Sequence, residues 1–189
     1  MSSATTLNAM TTEELLALPE DGKDRWLLGG VLWERDITKR NRFHSRAMAR
    51  ISALLDNWSM AQPEPRGEVV SGEAGFRIRR NPDSTVGIDV AYVSAALKSV
   101  QTDQTTLYEG APVLAVEILS PSNTHHEVAA KVRDYLASGV KLAWVVDTDF
   151  HIISIHRPGV PSEALDSRDT LAGDPELPGF SCPVSDLFR

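Results

Sequence analysis

Two acidic residues stand where a β-strand would ordinarily carry apolar side chains. Asp89 lies in the run VGIDVAYVS, and Glu117 lies in the run PVLAVEIL. A buried carboxylate without a partner is costly, so each acid needs a metal ion, a cation or backbone donors. Two such carboxylates on neighbouring strands would suit a hard divalent cation such as Mg²⁺ (or Mn²⁺), which would support phosphodiester hydrolysis. The alternative is that each acid lies at a strand end, solvated or salt-bridged.

A lysine follows the Glu117 strand on the next predicted helix. Lys131 and Tyr135 are four residues apart, so they lie on one face of that helix. A lysine near a reacting phosphate can orient the nucleophile or stabilise the charge of the transition state. The alternative is an ordinary solvated helix lysine. Its place directly after the Glu117 strand favours Lys131 as a third catalytic residue.

Sequence patterns predict the elements that must position these residues. Thr11 with Glu14, and Thr124 with Glu127, have the spacing of capping boxes that begin helices, and Gly29-Gly30 predicts a hairpin turn. Apolar spacing predicts a long amphipathic helix over 41–58 and a second helix over 125–138. Strands are predicted at 68–71, 75–79, 86–94, 112–119, 142–147 and 152–156, with a loop over 99–110. This order predicts an α/β fold in one domain, residues 11–189, with a mixed sheet flanked by helices, after a flexible segment 1–10.

The charge balance restricts how this protein can meet nucleic acid. The chain has 189 residues, a formal net charge of −7 and a sequence pI of about 5.2, whereas proteins that depend on non-specific phosphate attraction are usually basic. Any DNA-binding surface must therefore be local. The candidates are the run 77–80, which reads RIRR, and a basic stretch that contains Lys39, Arg40, Arg42, Arg46 and Arg50.

Other features of the composition concern the cellular compartment. No apolar run reaches the roughly 18–20 residues of a membrane helix, and no signal peptide is visible at the N-terminus. The single cysteine, Cys182, has no partner within the chain for a disulfide. These features favour a cytoplasmic protein that does not enter a membrane.

The run AVEILSPSNTHHEVAAKVRDYLASGVKLAWVVD, residues 115–147, resembles the central signature of the Uma-type "putative restriction endonuclease" family. That family is placed in the PD-(D/E)XK nuclease superfamily. It is similar in having an Asp-containing strand, a strand reading roughly VEVLSPSN, a helix with a K-x-x-x-Y pattern and an apolar strand that ends in Asp. The resemblance extends from about Thr11 to Phe188. It implies a restriction-endonuclease-like core, a central mixed sheet of four or five strands between helices, preceded by an N-terminal helix and a β-hairpin.

The resemblance also implies roles for individual residues. Asp89 matches the motif Asp and Glu117 the motif Glu. Both would hold the metal ion. The usual position of the motif Lys is Leu119 here, so the lysine role moves to Lys131 on the following helix. Three further residues are implied as possible neighbours of the site, namely His44, Ser120 and Tyr135.

This sequence departs from the family pattern at two places. Ile88 replaces the proline that precedes the motif Asp. This proline has no chemical role. The family often has a Glu in a Y-E-L-x-x-G pattern of the first strand, whereas the matching stretch 25–30 reads RWLLGG and has no acid. That Glu would be a third carboxylate of the site, so its absence bears directly on metal affinity.

The leading hypothesis is a Mg²⁺- or Mn²⁺-dependent DNA endonuclease of the PD-(D/E)XK type, acting as a homodimer. The main alternative is a catalytically inactive nuclease-fold protein that binds a partner, which the missing first-strand acid and the negative net charge favour. Hydrolysis of RNA or nucleotides by the same site is chemically equivalent. The sequence does not separate it from DNA cleavage.

Overall fold

A mixed β-sheet organises the fold. In the computed structural model, which describes residues 9–37, 41–121 and 123–189, nine strands form this sheet. The strands are β1 Lys23–Leu28, β2 Val31–Asp36, β3 Glu68–Arg79, β4 Ser84–Val93, β5 Tyr108–Glu109, β6 Leu114–Ile118, β7 Leu142–Asp147, β8 Ile152–His156 and β9 Glu163–Leu165. Their order is β2-β1-β4-β6-β7-β8-β9, with β3 on β4 and β5 on β3. The pairs β6–β7 and β3–β5 are parallel and the others antiparallel, so the predicted mixed sheet is confirmed. The implied number of four or five strands was too low, because the hairpin β1–β2 and the short strands β5 and β9 join the same sheet.

Four α-helices accompany the sheet in the described residues. They are α1 Thr12–Leu16, α2 Arg42–Met60, α3 Ala95–Ser99 and α4 His125–Ala137. On one face, Ala47, Ile51 and Leu55 of α2 pack in a cluster with Val116 and Trp144. On the other face, Tyr135 of α4 packs in a cluster with the β1 and β4 side chains Trp26 and Ile88. A second small sheet of β10 Thr170–Ala172 and β11 Ser181–Pro183, with a 3-10 helix Val184–Leu187, completes the first cluster.

Local sequence signals account for where the site-bearing helices begin. Thr124 accepts from the Glu127 backbone N–H, and the Glu127 side chain returns to the Thr124 N–H, so the predicted capping box of α4 is confirmed. The Asn41 side chain caps α2 by accepting from the backbone N–H of His44 at 2.8 Å. This cap fixes the first turn of α2, which carries His44.

Some predicted boundaries were wrong. The segments 68–71 and 75–79 belong to a single strand, β3, because an irregularity between Ser71 and Ala74, with Gly72 at φ +85°, lets the chain continue along β4. The predicted loop 99–110 includes the end of α3 and the short strand β5. Within the proposed segment 1–10, residues 1–8 are outside the described residues, whereas the Met10 N–H donates to the Gly30 carbonyl at 2.9 Å. No helix in the described part of the chain is long and apolar enough to cross a membrane.

Candidate active site

Strand β4 has different partners along one of its edges, and this creates an opening in the sheet. On that edge, β1 pairs with β4 only at Leu27↔Thr85, and β6 pairs with β4 only from Tyr92↔Leu114 to Val90↔Val116. Residues 86–89 of β4 have no strand partner on that edge within the described residues. Asp89 and Glu117 lie where β4 and β6 separate, so the two acids predicted from the sequence come together at this fork.

Asp89 is held at the fork by two groups. Its Oδ2 accepts from the backbone N–H of Ile118 at 2.8 Å, a donor that a longer β4–β6 ladder would direct to the backbone instead. The same oxygen lies 3.3 Å from Nε2 of His44 on α2. Burial by itself would raise the Asp89 pKa, but His44, the Ile118 N–H and Lys131 together lower it below its ordinary value. Asp89 is therefore charged at neutral pH although only 5% of it is exposed.

The pKa of Glu117 is shifted in the opposite direction to that of Asp89. Its Oε1 accepts from the Tyr135 hydroxyl at 2.5 Å, and its Oε2 accepts from Nζ of Lys131 at 3.1 Å. Burial raises the Glu117 pKa, and the negative charge of Asp89 adds to that increase, against the opposing effect of Lys131 and Tyr135. Burial and the Glu117 charge also raise the Tyr135 pKa well above its usual range, so Tyr135 is a stable donor. Two carboxylates with pKa values shifted in opposite directions are typical of functional sites.

Lys131 is fixed by three contacts although it is a long, flexible side chain. Besides Glu117 Oε2, its Nζ donates to the carbonyl of Gly87 at 3.3 Å, in the part of β4 that pairs with β3 on one edge but has no strand partner on the other among the described residues. Nζ also lies 5.3 Å from the ring centroid of Trp26 on β1. A cation over an indole face is attracted by the ring quadrupole. The predicted catalytic lysine is thus preorganised beside both carboxylates.

His44 completes this set, and it is under-satisfied. It is 1% exposed, and neither ring nitrogen has a hydrogen-bond partner among the described residues, since the Asp89 contact is too poorly aligned to count as one. A buried polar group without a partner is costly and marks either strain or a missing ligand. Below, the term carboxylate site refers to His44, Asp89, Glu117, Lys131 and Tyr135.

A divalent cation such as Mg²⁺ needs oxygen ligands in a suitable arrangement. Within the described residues, no group of three or more His, Cys, Asp or Glu side chains is arranged to hold a metal ion. Mg²⁺, however, is commonly held by one or two carboxylates together with waters and substrate phosphate oxygens. Oδ1 of Asp89 has no hydrogen-bond partner among the described residues, so an oxygen ligand is available beside Glu117. The two carboxylates therefore fit a site of this open kind.

Comparison with known proteins identifies the family. A family model named Uma2, described as "Putative restriction endonuclease", matches residues 12–185. The chain belongs to this family. The match confirms the resemblance predicted from the sequence and supports an enzyme of nuclease type.

The fold has a counterpart in a crystal structure from Anabaena variabilis ATCC 29413, described as "a putative nuclease belonging to DUF820". The TM-score is 0.76, the identity is 18%, and the match covers 95% of this chain and 97% of that one. At this identity the likeness establishes the fold, and the predicted restriction-endonuclease-like α/β class is confirmed. No curated protein matches the chain significantly.

The first-strand stretch 25–30 has no acid and contributes an aromatic ring to the site. Trp26, in the matching stretch of β1, is 2% exposed and faces Lys131. Glu34 of β2 does not substitute for such an acid, because it is exposed and pairs with Lys23 and Arg25 at the edge of the sheet. The carboxylate site of this member therefore contains a cation–π contact at Lys131.

The remaining predicted residues lie around the site in different settings. Ser120, two residues beyond β6, is buried, and its backbone N–H and hydroxyl both donate to Oδ1 of Asn123, at 2.8 and 2.7 Å. Arg42 and Arg46 are exposed on the first turns of α2, with no carboxylate partner among the described residues. Arg50 donates to the Asp186 carbonyl. Lys39 and Arg40 lie outside the described residues.

The second basic run, residues 77–80, forms ion pairs within the protein. Arg77 is buried and paired with Glu13, and Asp83 and Glu109 lie within 3.8 Å of it. Arg79 pairs with Asp134 at 2.6 Å and Arg80 with Glu109 at 2.7 Å. The ion pairs of Arg77 and Arg79 give these two cations a structural role, whereas Arg80 is exposed beside Glu109.

Proposed function

We propose that this protein is a metal-dependent DNA endonuclease of the PD-(D/E)XK type, hydrolysing phosphodiester bonds at the carboxylate site. The observation that carries the proposal is the meeting of Asp89, Glu117 and Lys131 at the fork between β4 and β6. These acids stand on different strands, and the lysine comes from a helix 14 residues further along the chain than Glu117. Family membership supports nuclease chemistry independently.

Asp89 and Glu117 would hold Mg²⁺ or Mn²⁺. Such an ion acts as a Lewis acid on a phosphoryl oxygen and lowers the pKa of water to make a nucleophile at neutral pH. The chain's own contribution is to keep Asp89 ionised through His44 and the Ile118 N–H. Tyr135 and Lys131 hold Glu117 in one orientation, which reduces the reorganisation needed when a ligand arrives.

Lys131 would stabilise charge on the phosphate as it is attacked. Its ammonium group keeps its place through Glu117, Gly87 and the face of Trp26. Preorganised donors of this kind stabilise a transition state strongly because they need no rearrangement during the reaction. Lys131 would act from its position on α4, in place of the usual motif position at Leu119.

The DNA backbone would lie along the first turns of α2. Arg42 and Arg46 are one turn apart on the exposed side of α2, the helix whose buried side carries His44 into the carboxylate site. Unpaired arginines bind phosphate oxygens and give affinity independent of sequence. Lys39 and Arg40, the other cations of the predicted basic stretch, precede them in the sequence. Cleavage of both strands would need a homodimer, or two successive events.

The test is cleavage of supercoiled plasmid by purified protein in roughly 5–10 mM Mg²⁺ or Mn²⁺, a concentration chosen to saturate weak carboxylate sites. Asp89→Asn or Glu117→Gln should lower the rate by about 10³-fold or more, since metal assistance supplies several kcal/mol. Lys131→Ala should lower it by about 10²-fold, as loss of one transition-state donor does. Calorimetry with Mn²⁺ measures binding in parallel.

Matched controls use the same residue types away from the site. Lys141→Ala removes an exposed lysine before β7, and Glu163→Gln removes an exposed acid on the edge strand β9. Both should cleave like the wild type. Cleavage that persists in Asp89→Asn and Glu117→Gln would contradict the proposal.

A second candidate function has one specific observation in its favour. Both oxygens of Glu117 are already engaged within the protein, and Trp26 occupies the stretch where the family often has an acid. These contacts suit a nuclease-fold binding protein without turnover. That alternative predicts no Mn²⁺ binding and no cleavage, together with DNA binding that is unchanged in Glu117→Gln.

A further inference from the structure

A cavity of about 520 Å³ opens beside α4, over strands β7 and β8. Pockets that bind small ligands usually have volumes of roughly 300–1,000 Å³. Lys131 and Tyr135 reach Glu117 from one side of α4, whereas Val128, Ala129 and Val132 line this cavity from another. The cavity is therefore next to the carboxylate site but separate from it.

The floor of the cavity is apolar. It is made by Leu119, which directly follows β6, and by Val132 of α4, Val145 of β7 and Ile152 of β8. An apolar floor suits the face of an aromatic ring, because burying that face removes apolar surface from water. The same floor offers little to a phosphate or a sugar alone.

One wall of the cavity presents hydrogen-bond donors without partners. Oδ1 of Asn123 accepts from both the N–H and the hydroxyl of Ser120, which fixes the amide, while its Nδ2 has no partner among the described residues. His125 and Arg133 are exposed at the same wall, and neither has a carboxylate partner in the described part of the chain. This wall is complementary to an anion such as a phosphate.

The opposite wall presents acceptors. Asp147 at the end of β7, Asp149 in the turn that follows and the Ser154 hydroxyl on β8 line the cavity on the side of the strands. Oδ1 of Asp147 also accepts from the backbone N–H groups of Asp149 and Phe150. His156 lies beside them, and burial lowers its pKa, so its imidazole is neutral and can donate at one nitrogen and accept at the other. A nucleobase carries both donors and acceptors on its edge, which matches such a mixed wall.

The cavity also lies at a suitable distance from the carboxylate site. Leu119 of its floor follows Glu117 by two residues along the chain, which in an extended segment is about 7 Å. A strand whose phosphate lies at Glu117 could therefore turn the adjacent nucleotide into the cavity.

We infer that this cavity binds one unstacked nucleotide of the strand that is cut, with the base on the apolar floor and a phosphate at Arg133 and His125. This inference rests on the proposed nuclease function, and it adds a subsite that would read or hold a single base. The energetic cost of unstacking that base is offset by its burial and hydrogen bonds.

The experiment measures nucleotide binding without cleavage. The full chain carrying Asp89→Asn is titrated with nucleoside 5′-monophosphates, and with tetranucleotides that are intact or abasic at one position, and NMR shifts are followed. Ala129→Trp fills the cavity from α4, and Ala137→Trp places the same residue on an exposed position of the same helix outside the cavity. Arg133→Gln tests the phosphate contact.

The expected result is saturable binding that Ala129→Trp weakens at least tenfold and Ala137→Trp leaves unchanged. Arg133→Gln should weaken the binding of monophosphates by about tenfold, which is the effect of losing one charge-assisted hydrogen bond. The binding of nucleosides, which have no phosphate, should not change. An abasic tetranucleotide should bind more weakly than an intact one. Equal weakening by both tryptophans, or no saturable binding, would overturn the inference.

Two other outcomes separate this inference from its alternatives. Conversion of a dimer to a monomer by Ala129→Trp, with no nucleotide binding in the parent protein, would mean that a second copy covers the cavity, and the inference would fail. If free monophosphates bind as tightly as tetranucleotides do, the assignment of the cavity to a nucleotide of the cut strand would be overturned. If nucleotides bind as expected but the wild-type protein never cleaves DNA, the proposed function fails while the nucleotide site stands.

Discussion

The chain buries carboxylates in two places whose surroundings differ. At the turn between β3 and β4, Asp83 accepts from the Thr12 N–H at 2.9 Å, from the Thr12 hydroxyl at 2.6 Å and from the Asn81 N–H at 3.3 Å, with Arg77 nearby. These contacts outweigh burial and lower the Asp83 pKa. We call Thr12, Arg77 and Asp83 the turn cluster.

The carboxylate site also buries negative charge, but its polar groups have fewer hydrogen-bond partners. The Glu117 pKa is raised, both His44 nitrogens are unsatisfied, and Oδ1 of Asp89 has no partner among the described residues. A charge that serves stability collects all the donors it can, whereas a charge that serves binding leaves atoms for the ligand. The contrast distinguishes two clusters that look alike as buried acids beside a cation.

The largest effect is expected from the turn cluster. Asp83→Ala leaves two Thr12 donors and the Arg77 cation without their acceptor, so the free energy of unfolding should fall by about 3 kcal/mol. Urea unfolding measures it. Because the folded pKa of Asp83 lies below the unfolded value of 3.8, its stabilisation is present above pH 3.8 and is lost as the pH falls through the folded pKa.

The control for this prediction is Asp103→Ala, which removes an exposed aspartate in the 99–110 segment and should leave stability unchanged. The difference in the free energy of unfolding between Asp83→Ala and the wild type should become smaller below pH 3.8. A constant difference from pH 3 to pH 7 would mean that the loss comes from packing and not from the charge.

The second prediction concerns the cation of the carboxylate site. Trp26→Leu removes the ring that faces Lys131, and a desolvated cation–π contact contributes about 1–2 kcal/mol. We expect the DNA cleavage rate to fall about tenfold, while Trp26→Phe, which keeps an aromatic face, recovers most of it. Thermal unfolding of both variants separates this effect from loss of packing. Equal rates in the two variants at equal stability would contradict a positioning role for the ring.

Much of the carboxylate site could be predicted from the sequence because its signals are local. An acid in an apolar strand identified Asp89 and Glu117, and helical spacing with the family signature identified Lys131 and Tyr135. Trp26 could not be assigned this way, since an apolar residue in a strand indicates a core position whether or not a cation lies over it. The contact depends on β1, β4 and α4 meeting at the fork, which is information that only the tertiary structure contains.

The same reasoning explains which parts of the fold were missed. Capping boxes and the Gly29-Gly30 hairpin are determined by neighbouring residues, and they were predicted. The continuity of β3 depends on pairing with β4, and the role of Arg77 depends on acids at positions 13, 83 and 109. Long-range pairing of this kind leaves no periodic signal within a short window, so the run 77–80 looked like an exposed basic patch.

A third and smaller effect is expected on stability at Glu117. Glu117→Gln should change the free energy of unfolding by less than about 1 kcal/mol, because the amide still bonds Tyr135 and the lost attraction to Lys131 is offset by removing a buried charge. The folded pKa of Glu117 lies above its ordinary value, so the wild type loses stability as the pH rises through that pKa. The free energy of unfolding of the variant should therefore increase relative to that of the wild type as the pH rises above 4.5. A loss as large as that of Asp83→Ala would mean that Glu117 is a structural charge.

The smallest effects are expected from single arginines, and they extend the comparison from the acids to the cations. Arg46→Gln should weaken DNA binding about threefold in moderate salt and reduce the slope of log affinity against log salt by about one, as loss of one phosphate contact does. Its stability should not change, because Arg46 is exposed and has no carboxylate partner among the described residues. Arg77→Gln should have the opposite pattern. It should lower the free energy of unfolding, because Arg77 pairs with Glu13 and Asp83, and it should leave the slope of log affinity against log salt unchanged. Fluorescence anisotropy at several salt concentrations, with urea unfolding, measures both quantities. If Arg77→Gln reduced the salt slope at full stability, the division between structural and DNA-binding cations would be wrong.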